Sequence, residues 1–260
     1  MTDRDNLISH ILDLKEKSAT ESIITSSGFL SLDEQSGVIK TEKINNKYVD
    51  TFYYGGYDEA ERRVVLFVPG FYDAHTDSLD EFLRENDANP LGVLAVKKDR
   101  FSTLSHRDYL GALMGLGLKR EVIGDIIINE DGCYIICLKS ISRYITENLK
   151  QAGRGQLTVT IGDFNLLQSK ESKTETVFVS VASLRLDCLV ASAFKLSRNN
   201  AVNAINQGIV YVNSEQIYKS DYILKSGDKL VLRGKGKVII DEIIRENKKG
   251  RLHLNIKRYL

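Results

Sequence analysis

The chain has 260 residues, 42% hydrophobic and 27% charged, which at roughly 100–200 residues per domain means one large domain or two to three small ones. No stretch approaches the ~18 consecutive apolar residues of a transmembrane helix, and Met1–Asn6 leads into a charged helix rather than a signal peptide. The net charge of +1 hides an asymmetry: residues 179–260 carry 15 Lys and Arg against 7 Asp and Glu, a net of +8, and residues 1–178 carry 21 against 28, a net of −7. A basic C-terminal third on an acidic body is the footprint of an attached nucleic-acid-binding module. Chance scatter of surface charge is the plain alternative.

Residues 3–17 read as an amphipathic helix, with Leu7, Ile8, Ile11, Leu12 and Leu14 in one stripe. A second helical stretch is predicted near 31–44, after Gly28. Phe52–Tyr57 ends an extended run on Gly55-Gly56, and Arg63–Val68 is a strand stopped by Pro69-Gly70. From about residue 90 the pattern is clearer. Leu91–Val96 is an apolar strand, and Ser105 caps a helix with Asp108 three residues on. That helix carries Tyr109, Leu110, Leu113 and Met114 and ends in Gly115-Leu116-Gly117. Strands follow at Asp125–Asn129 and Cys133–Leu138, joined by the turn Glu130-Asp131-Gly132. A helix at Ser140–Leu149 and a strand at Leu157–Ile161 complete the order β-α-β-β-α-β, the split arrangement of ferredoxin-like and RNA-recognition (RRM-like) folds. The first of these strands has no aromatic residue and the third only Tyr134, so base stacking on an open sheet is not the expected mode.

The fold class is therefore α+β. An N-terminal α/β region is placed at 1–75, a ferredoxin-like middle domain at 76–165, a polar linker at 166–180 and a basic domain at 181–260.

In the last of these, Arg185-Leu186-Asp187 opens a helix with Leu186, Leu189, Val190 and Phe194 as its apolar positions. Ser197 is placed to cap a second helix, Asn199–Gln207, which Gly208 stops. A strand follows at Ile209–Asn213, then a run Tyr218–Leu224, a turn at Lys225–Asp228, a strand at Lys229–Leu232, and Arg233-Gly234-Lys235-Gly236-Lys237. A helix N-terminus at Ser197 offers backbone N–H groups to phosphate, and Lys195, Arg198 and Arg185 add charge there. Asn200 and Asn213 are further candidate contacts. Gly234 and Gly236 let a backbone approach closely while Arg233, Lys235 and Lys237 supply cations. The ligand this suits is structured RNA, read by shape and phosphate. The competing reading is a small α+β domain with solvated basic loops.

The segments Arg185-Leu186-Asp187, Ser197-Arg198, Gly208-Ile209-Val210-Tyr211-Val212-Asn213 and Gly227-Asp228 resemble the small RNA-binding domain named after ribosomal protein S-four, the alpha-L motif. Asn199-Asn200 departs from that family's small, basic or glutamine residues, and Ser214 stands where its strand turn usually has glycine. Upstream, Phe52–Tyr57 with Ala60-Glu61-Arg62-Arg63, and Leu104-Ser105-His106-Arg107-Asp108-Tyr109 through Gly117-Leu118-Lys119-Arg120 to Gly124-Asp125-Ile126, resemble the YlmH family of bacterial RNA-binding proteins. With the terminal Arg-Gly-Lys-Gly-Lys, the resemblance covers about 50–260. It implies a cytoplasmic, non-enzymatic protein that binds rRNA and tRNA on the large ribosomal subunit carrying stranded peptidyl-tRNA, in ribosome-associated quality control. A related heat-shock protein with the same small domain works on released large subunits.

Ser105-His106-Arg107-Asp108 invites a catalytic reading, but His and Asp two apart on a helical turn point in different directions. His106, Arg107, Lys119 and Arg120 are instead a candidate second RNA- or ribosome-facing patch. Cys133, Cys137 and Cys188 lack metal spacing and the four histidines are scattered, so buried thiols in a reduced, cytosolic protein are expected, with no metal and no cofactor. Arg185-Leu186-Asp187 also resembles the catalytic Asp segment of RNA pseudouridine synthases. There the small domain precedes a large catalytic one, whereas here it comes last. No Gly-x-Gly-x-x-Gly or Walker loop occurs. The alternative function is an RNA-modifying enzyme that uses the small domain as a targeting arm.

Overall fold

A computed structural model describes residues 3–41, 48–72, 79–168, 174–246 and 250–259. The tail of the helix expected near 31–44, His75 and linker positions 169–173 lie outside the described residues. The chain divides into two compact units, 1–169 and 170–260.

The first unit opens with α1 (Asp3–Glu21), β1 (Thr25–Ser26), α2 (Leu32–Thr41), β2 (Val49–Tyr54) and β3 (Val64–Pro69), and its strands pair antiparallel in the order β1-β3-β2. β3 is buried along its whole length. Its side chains alternate between two cores, as the period of a strand requires. Val65 and Phe67 face α1 and α2 through Ile11 and Val38. Val64, Leu66 and Val68 face the second sheet. A strand apolar at every position is what burial on both faces demands.

The chain continues through α3 (Leu79–Glu85), β4 (Leu91–Lys98), α4 (His106–Gly115), β5 (Ile123–Asn129), β6 (Gly132–Leu138), α5 (Lys139–Asn148), β7 (Gln151–Ala152), β8 (Gly155–Gly162) and the short α6 (Asn165–Gln168). The sheet order is β5-β6-β4-β8-β7. Strand β6 lies between β4 and β5, antiparallel to each, so the split β-α-β arrangement expected from sequence is present. One face of this sheet packs Leu94, Val96, Ile135 and Cys133 against Tyr109 and Leu113 of α4 and Ile145 of α5. The other face packs Leu91, Val93 and Ile136 against Phe29, Val64, Leu66, Phe82 and Leu167. Tyr134 is part of that second layer, which is why it offers no open stacking platform. The stretches 1–75 and 76–165, read separately in the sequence, share this core, and Leu167 carries it past residue 165.

The N-terminal region is tied to this sheet by polar contacts as well. The Asp125 carboxylate accepts from the Tyr57 hydroxyl (3.0 Å) and from the N–H of Glu61 (2.7 Å) and Arg62 (3.2 Å). The Arg62 guanidinium donates to the carbonyls of Ile123, Phe29 and Arg120. Gly56 has φ +84, and a Cβ there would collide with the Phe164 ring, so the Gly-Gly turn is required on both counts.

The second unit comprises β9 (Thr174–Val181), α7 (Leu186–Ala193), α8 (Arg198–Asn206), β10 (Val210–Val212), β11 (Glu215–Gln216), β12 (Lys229–Leu232), β13 (Gly236–Glu246) and β14 (Leu252–Tyr259). Its strands form one antiparallel sheet in the order β11-β10-β12-β13-β14-β9. Helices α7 and α8 pack on one face through Leu186, Leu189, Val190, Ala201 and Ile205. The polar stretch 166–180 reads as a linker in the sequence, but its second part is β9. Val179 and Val181 enter the core and Val177 packs against it, while β14 supplies the hydrogen-bonding partner.

Candidate nucleic-acid interface

The apolar period of α7 sinks Leu186 and Leu189 into the core and takes Asp187 with them, 2% exposed. A carboxylate in a first helical turn is favoured by the helix dipole, and its Oδ1 accepts from the N–H of Cys188 (3.0 Å). Two arginines close over it. Arg185 donates through Nε (3.0 Å) and Nη2 (3.2 Å). Arg198 donates through Nε (3.1 Å) and Nη2 (3.0 Å) to Oδ2. Burial alone would raise the Asp187 pKa, but the hydrogen bonds and charges of Arg185 and Arg198 outweigh it and hold the pKa at about 2. One negative charge thus fixes two positive ones. Both arginine side chains stay partly open to solvent, Arg185 at 37% and Arg198 at 64%. The cluster presents one net positive charge and two planar forks of the kind suited to phosphate.

Ser197 caps α8, its Oγ accepting from the N–H of Asn200 (3.2 Å). The next free donors of that helix end are the N–H groups of Arg198 and Asn199. Lys195 is exposed beside it in left-handed backbone at φ +54. Lys195, Ser197, Arg198 and the exposed Asn200 therefore gather at one helix end with Arg185.

The remaining candidates separate. The Asn213 side chain donates to Asp228 Oδ1 (2.8 Å) and accepts from the N–H of Lys229 (2.9 Å), so it braces the β10–β12 junction. Asn213 and Ser214 both have positive φ, +50 and +68, the paired left-handed residues of a tight β-turn. Arg233, Lys235 and Lys237 ride the β12–β13 turn, where Gly234 and Gly236 take φ +79 and +111. Lys237 lies 4.4 Å above the Tyr259 ring. The Arg233 N–H donates to the carbonyl of Ile209, just beyond the far end of α8, so this turn is one helix length, roughly 14 Å, from Ser197.

Sequence reasoning missed the strip 218–224. It runs beside Arg185, with Leu186 N–H on the Tyr222 carbonyl (2.8 Å) and Asp187 N–H on that of Ser220 (3.0 Å). This sets exposed Lys219, Tyr222 and Ile223 next to the arginines. The interleaved Tyr218-Lys219-Ser220-Asp221-Tyr222 was the available signal.

The second patch does not come together. His106 and Arg107 are exposed on the first turn of α4, while Lys119 and Arg120 follow its other end, about 15 Å away. Arg120 donates to the carbonyls of Ile123 (2.8 Å) and Gly124 (3.1 Å), and burial lowers its pKa to about 10. Lys119 faces Glu121 at 3.8 Å. Nor is there a relay in Ser105-His106-Arg107-Asp108: the Ser105 hydroxyl and N–H both donate to Asp108 (2.7 Å each), forming a helix cap. Cys133 and Cys137 are buried, and burial pushes their thiols up to about 12 and about 11. No metal-type cluster of His, Cys, Asp and Glu occurs among the described residues, nor does any described helix have the length and apolarity to cross a membrane.

A family model described as "Putative RNA-binding domain in YlmH" matches residues 92–166, and one described as "S4 domain" matches residues 184–230. The chain is 30% identical over 227 residues to "Ribosome-associated protein quality control protein P2" of Bacillus subtilis (strain 168), across 87% of this chain and 85% of that protein. This chain belongs to the YlmH family. A solved structure, "Cell division protein ylmH from Streptococcus pneumoniae", is similar at TM-score 0.48 and 16% identity, covering 64% of this chain and 95% of that one. The S4 match begins one residue before Arg185 and spans the whole arginine cluster, while the Arg233–Lys237 turn lies beyond it. The YlmH-type match starts inside β4 and excludes β1, β2 and β3.

Proposed function

We propose that this YlmH-family protein is a non-catalytic RNA-binding factor that grips rRNA or tRNA on the large ribosomal subunit carrying peptidyl-tRNA, in ribosome-associated quality control. The observation that carries the reading is the Arg185–Asp187–Arg198 cluster at the N-terminal end of α8. Two guanidinium groups held by one carboxylate, with helix N–H groups and Lys195 beside them, form a preorganised phosphate site. Such a site recognises the backbone of folded RNA and reads shape rather than base edges. The name of the Bacillus subtilis relative supports the ribosome and the quality-control pathway.

Co-sedimentation with separated small subunits, large subunits and whole ribosomes, at low and high salt, tests this. Selective pelleting with large subunits is expected, falling steeply with salt as phosphate contacts release counterions. R185A and R198A should each weaken binding by about 1–3 kcal/mol. Unchanged affinity in both variants would remove the site, and no association with any particle would remove the ribosomal assignment.

A further inference from the structure

Phe101, in the turn between β4 and α4, is 98% exposed. A ring on a slack loop would fold back onto apolar surface, but this turn is braced. The Asp99 carboxylate accepts from the Phe101 N–H (2.9 Å), the Ser102 hydroxyl (2.7 Å) and the Gln156 N–H (2.8 Å). The Asp99 N–H donates to the Gln156 carbonyl (3.1 Å). The β7–β8 hairpin closes beneath it so tightly that a Cβ at Gly155 would lie 2.6 Å from Ser102 Oγ. At Gly153 a Cβ would lie 3.4 Å from Asp108, in the first turn of α4. Turn, hairpin and helix end thus form one frame that projects the ring into solvent.

The frame is also basic. Arg100 adjoins the ring, Arg107 lies on α4's first turn and Arg154 on the hairpin tip. All three are exposed, and none has a side-chain hydrogen bond or ion pair among the described residues. The nearby acids Asp99 and Asp108 are turned inward onto hydroxyl and N–H groups. Glu130 and Asp131 lie to the other side, where the Lys98 N–H meets the Asp131 carbonyl (2.8 Å). An apolar protein pocket would take the ring but leave Arg100 and Arg154 uncompensated and Arg107 with only the inward-turned Asp108 nearby. RNA supplies both a π-face and phosphates. The sheet face on which related folds stack bases is closed here by Phe29, Val64 and Leu66, so a base contact has to come from the rim.

We propose that Phe101 stacks on an unpaired base of RNA while Arg100, Arg107 and Arg154 hold the flanking phosphates. This rests on the RNA-binding reading above. The chain contains no tryptophan, so the full-length F101W protein reports the contact through a single tryptophan, excited at the red edge where its tyrosines do not absorb. Its fluorescence would be followed on adding purified large ribosomal subunits, protein-free ribosomal RNA and free tRNA. Saturable, salt-sensitive quenching by protein-free ribosomal RNA or tRNA is expected, and which of them quenches identifies the source. F101A should bind that RNA about tenfold more weakly with an unchanged melting temperature, and F101Y should restore binding. Full affinity in F101A without quenching in F101W, while R198A loses binding, would overturn the stacking contact and leave the C-terminal site standing. Quenching by whole subunits but by neither free RNA would indicate a protein contact and also overturn it. Failure of the unaltered chain to bind any of the three would overturn the underlying reading and this one with it.

Discussion

Asp187 holds both arginines of the interface, so its protonation should be felt in stability and in binding. Its folded pKa of about 2 lies below the ordinary value of about 3.9. The stabilisation is therefore complete above about pH 4 and disappears as pH falls toward 2, amounting to roughly 2 kcal/mol. Denaturant titrations of the wild type and D187N should differ by about that much at pH 6 and converge near pH 2. D187N also raises the net charge by one, yet it should bind RNA more weakly, because the guanidinium groups lose their common anchor. Tighter binding in a filter assay would mean that charge alone governs the site. Lys195 and Ser214 separate the two roles from the other side. Both occupy left-handed backbone, which costs a non-glycine residue about 1 kcal/mol. Thermal melts should show K195G and S214G both stabilised, while only K195G loses RNA affinity.

At the level of elements, the Tyr57–Arg62 segment and the Ile123–Asp125 strand start act as a clasp. The Tyr57 hydroxyl is pushed well above its usual range by burial, then by the charge and hydrogen bond of Asp125, so it remains a protonated donor. D125A would leave that hydroxyl and two N–H groups unpaired, and urea unfolding should show a loss of roughly 2–4 kcal/mol. An effect below half that value would mean water replaces the carboxylate. Strands β4, β5, β6 and β8 could be read from the chain because their apolar residues run together and their turns carry glycine, whereas β7 has only two residues. β13 could not: its register shifts between Ile240 and Glu242 and again between Ile243 and Arg245, so two bulges break the alternation. Helix α3 has seven residues, too few to display a period. The site divides the same way. Arg185, Ser197 and Arg198 announce themselves by spacing. Arg120 misleads because its acceptors are main-chain carbonyls, which every sequence possesses. Tyr222 reaches the site through main-chain pairing, its carbonyl with the Leu186 N–H and Ile223 with Arg185, contacts between residues far apart in the chain.

For the whole molecule, charge and core are partitioned differently. Unit 170–260 has 17 Lys and Arg against 9 Asp and Glu, a net of +8, while residues 1–169 are at −7. The acidic unit should repel RNA that the basic one attracts. For a fully paired RNA duplex, which offers Phe101 no unpaired base, the isolated unit 170–260 is thus expected to bind more tightly than the full chain at low salt. The difference should narrow as the screening length falls from about 10 Å at 0.1 M salt to about 3 Å at 1 M. A gap that persists at high salt would exclude repulsion as its cause. The first unit behaves in another way. Val93 and Ile136 are shared between the middle sheet and β3, so the sheet's second face is an internal wall. A piece cut at 92–166, the reach of the family match, would bare that wall and be expected to aggregate. Family model and cooperativity therefore divide the chain at different places: the stretch that the model matches is shorter than the stretch that shares one core and should melt as a unit.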